Sequence, residues 1–300
     1  MKFIHDQQGA LSKTEVETFF KHGYVIVKNL FTKQEVHVIR GHLETVFKGA
    51  QERVKAAIEE REEKSVFRCE YKGKGGKTAS ILATDNKNGT TSIKVISWVG
   101  GVQPELLDLS RQDKVLIPVA QLLGSNKANH LINQVHYKMP GDEVKFDWHQ
   151  DIQHRRNYDP NWRDVNQKGS FVQVLAAIDK ATKNNGPLVV LPGSHQEDLF
   201  LDQKRDVDPA IIIKQKYDLD KMSVTLLLEE GDTVFMHPLL IHGSEPNQSR
   251  HNARMMLING FSYPQANTKP YPGEGSTEEV SLGISKQLLL ETNDFFMSFS

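Results

Sequence analysis

The stretch that decides the fold is Phe146-Asp147-Trp148-His149-Gln150-Asp151. It is typical of a short β-strand, in which successive side chains point to opposite faces. His149 and Asp151 are therefore expected on one face, and Trp148 and Gln150 on the other. An imidazole and a carboxylate two residues apart can occupy neighbouring positions on one metal ion. The stretch thus predicts two ligands of a metal site.

A third ligand is expected from the segment that begins with the turn residues Gly231-Asp232 and continues as an apolar, strand-like run to His242. Two histidines and one carboxylate would leave three coordination positions open, the arrangement associated with non-haem Fe(II) oxygenases. Arg254 opens the next apolar run. Because a guanidinium grips a carboxylate with two parallel hydrogen bonds, Arg254 suits a dicarboxylate co-substrate.

The composition argues against a nucleic-acid-binding protein and against a membrane-spanning one. The 300 residues are 38% hydrophobic and 25% charged, with 37 basic and 38 acidic side chains and a net charge of −1. This near-neutral balance gives no basic field for nucleic acid, and no apolar run is long enough for a membrane span. The single cysteine excludes an intrachain disulfide and fits a reducing compartment, so a cytoplasmic location is expected. The expected partner is a small molecule, and the oligomeric state is left open.

The chain is expected to form one domain over residues 1–300. Residues 1–125 form a helical and mixed part that packs on the core, 126–265 the core, and 266–300 a C-terminal extension. Turn signals separate short strand-like runs after His130, which predicts a mostly β fold with flanking helices. The predicted strands are 130–138, 145–150, 170–178, 187–191, 223–228, 232–236, 239–242 and 253–262. Helices are predicted over 12–22, from Thr32 to Glu63, and over 104–123, and the polar insert 152–169 is expected to be a loop over the site.

Three ordered blocks carry a resemblance to a known family. They are Trp148–Asp151, Asn184–His195, and Gly231–Ser244 continuing to Arg254. Together they resemble the phytanoyl-CoA dioxygenase family of Fe(II)- and 2-oxoglutarate-dependent oxygenases.

The resemblance implies a double-stranded β-helix, which is a cupin-like jelly roll, and a catalytic iron held by His149, Asp151 and His242. It also implies 2-oxoglutarate as co-substrate and O2 as oxidant. Arg254 would pair with the distal carboxylate of 2-oxoglutarate beside the Ser244 hydroxyl, and Gln134 would be a further contact.

The substrate is the least defined part of the hypothesis. Arg155 and Arg156 in the polar insert favour an anionic substrate. His136 shares a strand face with Gln134, and the strand-like run before Gly100 is expected to bring Trp98 near a cavity. The expected reaction is hydroxylation of an unactivated C–H bond in a small, anionic organic molecule, with release of succinate and CO2. The alternatives are a non-catalytic metal-binding jelly roll or sensor, an acyl-CoA hydroxylase, and a metalloenzyme that uses Zn or Mn.

Overall fold

Two antiparallel sheets form the centre of the protein, whose structure is a computed structural model that describes residues 2–59, 66–73, 76–201, 208–273 and 276–297. The strands are β1 Tyr24–Val27, β2 Phe67–Lys72, β3 Thr78–Asp85, β4 Thr91–Ser97, β5 Lys127–Lys138, β6 Phe146–His149, β7 Phe171–Ala177, β8 Leu188–Val190, β9 Val224–Leu226, β10 Thr233–Met236, β11 His242–Ser244, β12 Arg254–Ser262 and β13 Glu278–Ser281. The larger sheet has the order β1-β10-β7-β12-β5-β4-β3-β2, with β13 also paired to β5. The smaller sheet has the order β6-β11-β8-β9.

Helices flank the sheets. They are α1 Lys13–His22, α2 Lys33–Glu59, α3 Val99–Val102, α4 Glu105–Ser110, α5 Asp113–Leu123, α6 Asp151–Tyr158, α7 Pro209–Lys216, α8 Leu219–Met222 and α9 Lys286–Met297. The predicted start of α1 is confirmed as a capping box, in which Ser12 accepts from the backbone N–H of Glu15 and the Glu15 carboxylate accepts from that of Ser12. None of the helices in the described ranges is both long and apolar enough to cross a bilayer.

Apolar packing joins the two sheets. Leu175, Val234 and Met256 from the larger sheet contact Leu188 and Leu226 from the smaller sheet in one buried cluster. A second and larger cluster lies between the larger sheet and the helices, where α2 buries residues that recur at helical spacing: Val36, Ile39, Leu43, Val46, Ala50 and Val54. The predicted fold class, mostly β with flanking helices and a jelly-roll core, is confirmed.

Strands from all three predicted segments of the chain enter the larger sheet. Residues 1–125 contribute β1, which pairs with β10, and β4, which pairs with β5. Strands β3 and β2 follow β4 at this edge of the sheet. From residues 266–300, β13 pairs with β5. The N-terminal segment therefore supplies strands to the sheet as well as helices that pack on it.

Several element boundaries differ from the predictions. The insert 152–169 is not a loop throughout, since α6 occupies its first part. The predicted helix over 104–123 is two helices, α4 and α5, and the predicted strand over 239–242 begins only at His242. The second helix was predicted to reach Glu63. Within the described residues α2 extends to Glu59, and the predicted end lies outside them.

Candidate active site

His149, Asp151 and His242 converge on one point. Each offers one ligand atom, and these three atoms lie within 4.8 Å of one another. His149 Nε2 is 3.4 Å from Asp151 Oδ1, and His242 Nε2 is 3.8 Å from Asp151 Oδ2. The alternation argument placed both His149 and Asp151 on one strand. In the structure β6 ends at His149, and Asp151 is the first residue of α6. The convergence is as predicted, but a strand-to-helix turn produces it.

Backbone carbonyls orient both imidazoles. His149 Nδ1 is 2.6 Å from the carbonyl oxygen of Asp147, and His242 Nδ1 is 2.9 Å from that of Leu240. A carbonyl can only accept, so each Nδ1 must carry the proton and each Nε2 presents a lone pair to the shared point. This is the arrangement that metal-binding histidines use.

The charge states of His242 and Asp151 favour the binding of a cation. Burial, with the neighbouring His149, lowers the pKa of His242 to about 4, so this ring is neutral at pH 7. Burial alone would raise the pKa of Asp151, but His242, His149 and Arg155 outweigh it and hold the pKa below its usual range. Asp151 Oδ2 is buried and has no hydrogen-bond donor among the described residues. A buried, ionised and unsatisfied oxygen facing two imidazole lone pairs fits a divalent metal ion.

The triad opens onto a cavity of about 810 Å³, with Arg254 and Ser244 on its wall. Arg254 is buried and directs both Nε and Nη2 to the carbonyl oxygen of Gly186, at 3.0 and 2.6 Å. Nη1 has no acceptor in the described parts of the chain. Burial lowers the pKa of Arg254 to about 10, which leaves it charged at neutral pH. The Gly186 carbonyl thus fixes the guanidinium and leaves one amino group for a ligand.

Lys138 supports this end of the cavity and was missed by the sequence analysis. It is the register partner of Arg254, and its Nζ donates to Ser244 Oγ at 2.7 Å and to the carbonyl oxygens of Ser244 and Glu245. When Lys138 is protonated, Ser244 Oγ accepts from its ammonium group, and the hydrogen of the Ser244 hydroxyl is left to donate elsewhere. Burial and the Arg254 charge lower the pKa of Lys138 to about 6.

Gln134 and His136 line the same cavity from β5. Gln134 Nε2 is 3.0 Å from His136 Nε2, which fixes the His136 Nε2 as the acceptor. The His136 ring stacks on Phe146 at a centroid distance of 4.5 Å. His136 is therefore a wall residue whose imidazole already accepts a hydrogen bond from Gln134 and stacks on Phe146.

Lys94 is a second missed residue, and a β-bulge places it. Leu82 pairs with Val95 but Ala83 pairs with Ile93, so that Lys94 is the extra residue of β4. The bulge breaks the strict alternation, and both Lys94 and Val95 line the cavity. Lys94 Nζ lies 4.7 Å above the centre of the Phe146 ring. Burial lowers its pKa, although Asp147 opposes the shift.

The four predicted substrate contacts separate into two groups. Arg155 and His136 line the cavity. Arg156 lies outside the lining and pairs with both carboxylate oxygens of Asp198, at 3.0 and 2.6 Å. Trp98 also lies outside it; the indole is 2% exposed and packs edge-on against His130. We therefore do not retain Arg156 and Trp98 as substrate contacts. His154, which the sequence analysis did not single out, lines the cavity beside His149.

The jelly roll and its His-Asp-His site, open to a cavity that holds a buried arginine, define a 2-oxoglutarate-dependent dioxygenase. The family model that describes phytanoyl-CoA dioxygenase (PhyH) matches residues 19–256. The chain belongs to the phytanoyl-CoA dioxygenase family.

Known relatives agree with this placement. The chain is 27% identical to a peroxisomal phytanoyl-CoA dioxygenase from Bos taurus over 282 residues, or 91% of this chain and 74% of the relative. It is 26% identical to an ectoine dioxygenase from Bordetella bronchiseptica over 293 residues, or 90% of this chain and 84% of the relative. Among solved structures, EctD from S. alaskensis with 2-oxoglutarate and 5-hydroxyectoine has a TM-score of 0.65 and 17% identity over 94% of this chain and 90% of that one. The structural likeness supports the fold.

Proposed function

We propose that the protein hydroxylates an unactivated C–H bond of a small, anionic organic molecule, using Fe(II), 2-oxoglutarate and O2 and releasing succinate and CO2. The observation that carries the proposal is the convergence of three ligand atoms within 4.8 Å, on the wall of a cavity that also exposes Arg254. Iron and 2-oxoglutarate supply the oxidising chemistry when bound, while the protein positions the substrate and excludes bulk water.

His149, Asp151 and His242 would hold the iron. Three protein ligands leave positions for co-substrate and oxidant. The Nη1 group of Arg254 and the hydroxyl of Ser244 are the donors free to bind the distal carboxylate of 2-oxoglutarate. Lys94, with its partly desolvated ammonium near Phe146, would add positive charge at this end of the cavity. Gln134 would be a further polar contact from β5.

The charge of the cavity supports an anionic substrate. Its wall includes the cationic side chains Arg68, Lys94, Arg155 and Arg254. Of the described residues, two acidic side chains besides Asp151 are on the wall; Asp147 is already paired with Lys145, and Asp208 caps α7. More cations than one dicarboxylate can neutralise remain on the wall, which favours an acidic second substrate.

The test is formation of succinate from 2-oxoglutarate in the presence of Fe(II) and O2, with small carboxylates and phosphonates offered as substrates. We expect slow succinate release without a substrate and faster release, with matching O2 uptake, in the presence of an acceptable acid. The Asp151→Ala variant is the matched control and should be inactive. Binding of 2-oxoglutarate without succinate formation under any of these conditions would instead favour a non-catalytic sensor.

A further inference from the structure

Arg155 is a buried cation whose side chain makes no hydrogen bond to any described residue, and Asp151, the carboxylate that it attracts, is committed to the metal site. It is 5% exposed, and within the described ranges its covered Nε and Nη1 have no hydrogen-bond acceptor. Nη2 also lacks an acceptor within the described ranges and is the nitrogen that is not completely covered. Buried arginines normally donate hydrogen bonds, because a buried charge whose donors are unsatisfied is strongly destabilising. The N–H groups of Arg155 therefore call for an acceptor that the described residues do not supply.

Two aromatic rings hold this guanidinium in place. Its central carbon lies 4.2 Å from the centre of the Tyr271 ring and 5.4 Å from that of Phe171. Cation–π contacts of this kind hold an arginine without using its N–H groups. The donors of Arg155 thus remain available to a ligand, although its position is well determined.

The position of Arg155 is tied to the iron site. It lies four residues after Asp151 on α6, so the two side chains share one face of the helix. Both line the same cavity, together with His154 on the intervening turn. The Cα atoms of Asp151 and Arg155 are about 6 Å apart along the helix axis, so a molecule held by Arg155 would occupy the same cavity as the metal site.

The charges of the co-substrate do not account for Arg155. Fe(II), 2-oxoglutarate, Asp151 and Arg254 carry charges of +2, −2, −1 and +1, which sum to zero, so the bound co-substrate leaves no negative charge over for Arg155. Arg155 packs against Phe171 and Tyr271, whereas Lys94, Lys138 and Arg254 cluster near Phe146 and Ser244. A second anion, separate from 2-oxoglutarate, is needed to neutralise it.

We propose that Arg155 is the residue that binds an oxyanion group of the substrate, a carboxylate or a phosphonate, with the C–H bond to be oxidised held near the triad. This inference rests on the proposed function, because it places the substrate beside the same iron site. Arg156 has no part in it, since that side chain is occupied by Asp198.

The test is calorimetric titration of benzoate and of phenylphosphonate into protein loaded with Fe(II) and excess 2-oxoglutarate, without O2. We expect at least one of these anions to bind and the uncharged benzamide to bind at least 10-fold more weakly. Arg155→Gln should weaken anion binding at least 10-fold and Arg155→Lys by less, because lysine keeps the charge but loses the planar fork. Which anion binds more tightly decides between carboxylate and phosphonate.

Arg156→Gln is the matched control and should leave anion binding unchanged. The thermal unfolding midpoint of Arg155→Gln, measured without ligand, checks that the variant is folded at the titration temperature, and loss of the cation–π contacts with Phe171 and Tyr271 is expected to lower it slightly. The inference is overturned if neither anion binds, if benzamide binds equally well, or if Arg155→Gln binds as the wild type does. Loading with 2-oxoglutarate is measured first, so that failure of the co-substrate site, which would overturn the proposed function itself, is recognised separately.

Discussion

His242 lies directly opposite His149 in the pairing of β11 with β6, and the centroids of their rings are 4.3 Å apart. Directly opposed residues of an antiparallel pair project from one face of the sheet, so register alone brings the imidazoles together. Asp151 joins them because Gln150, whose side-chain amide donates to the carbonyls of Glu197 and Leu239, holds the turn into α6. Regular elements thus form the site, and we expect it to be formed before a metal binds.

Arg254→Met should raise the KM for 2-oxoglutarate by on the order of 10- to 100-fold, because a charge-assisted hydrogen bond contributes about 1.5–3 kcal/mol. The kcat at saturating 2-oxoglutarate should fall much less. Succinate release as a function of 2-oxoglutarate concentration measures both constants. Arg156→Met, which removes the cation of the partly buried Arg156–Asp198 ion pair outside the cavity, should leave the KM for 2-oxoglutarate unchanged. An unchanged KM in Arg254→Met would contradict the role given to Arg254.

Lys94→Met should raise the KM for 2-oxoglutarate by a smaller factor, roughly 3- to 10-fold, since the Lys94 ammonium is only partly desolvated and acts as a point charge. The methionine preserves the packing on Phe146. The matched control is Lys127→Met, which removes an exposed cation paired with Glu279. Equal KM values for the two variants would show that Lys94 does not serve the co-substrate.

Gly186→Ala should damage both stability and co-substrate binding. Gly186 has a φ of +71°, and an added Cβ would clash with the carbonyl oxygen of Glu245. We expect a loss of about 1–3 kcal/mol in the free energy of unfolding. The KM for 2-oxoglutarate should also rise because the Gly186 carbonyl orients Arg254. Gly41→Ala is the control: it lies in α2 with nothing within 4 Å of the new Cβ and should stabilise the protein by up to about 1 kcal/mol.

Acidification should destabilise the fold before the carboxylates titrate. Burial lowers the pKa of both His130 and His237 to about 3, with Arg111 and His195 respectively adding to the shift. The unfolded chain, in which a histidine has a pKa near 6.5, binds protons that the folded chain does not bind between pH 6.5 and pH 3. Stability is therefore complete above pH 6.5 and falls below it.

The expected slope is about 1.4 kcal/mol per pH unit for each such histidine. Urea unfolding at pH 7.5, 6 and 5 measures it, and His237→Asn should reduce the slope. A free energy of unfolding that stays constant from pH 7.5 to 5 would show that these rings are not held neutral.

Local sequence signals were sufficient for the parts of the site that lie in motifs. His149 and Asp151 are two residues apart in one motif, His242 precedes Gly243 in another, and Arg254 opens an apolar run. Lys94 could not be predicted because a bulge in the pairing of β3 and β4 determines its direction, and the alternation rule does not locate bulges. Arg155 could not be separated from Arg156 because a loop gives no rule for side-chain direction; on α6 the two side chains point to different surroundings. Trp98 was misplaced because the end of β4 turns it into the core against His130.

The central claim is that one iron ion binds to His149, Asp151 and His242. Anaerobic titration of the protein with Fe(II) tests it most directly, comparing the wild type with Asp151→Ala and His242→Ala. We predict one bound Fe(II) per chain and a dissociation constant raised by more than about 100-fold in each variant, since loss of even an outer contact to a ligand costs 10- to 100-fold. Unchanged affinity in both variants, or no Fe(II) bound by the wild type, would contradict the account.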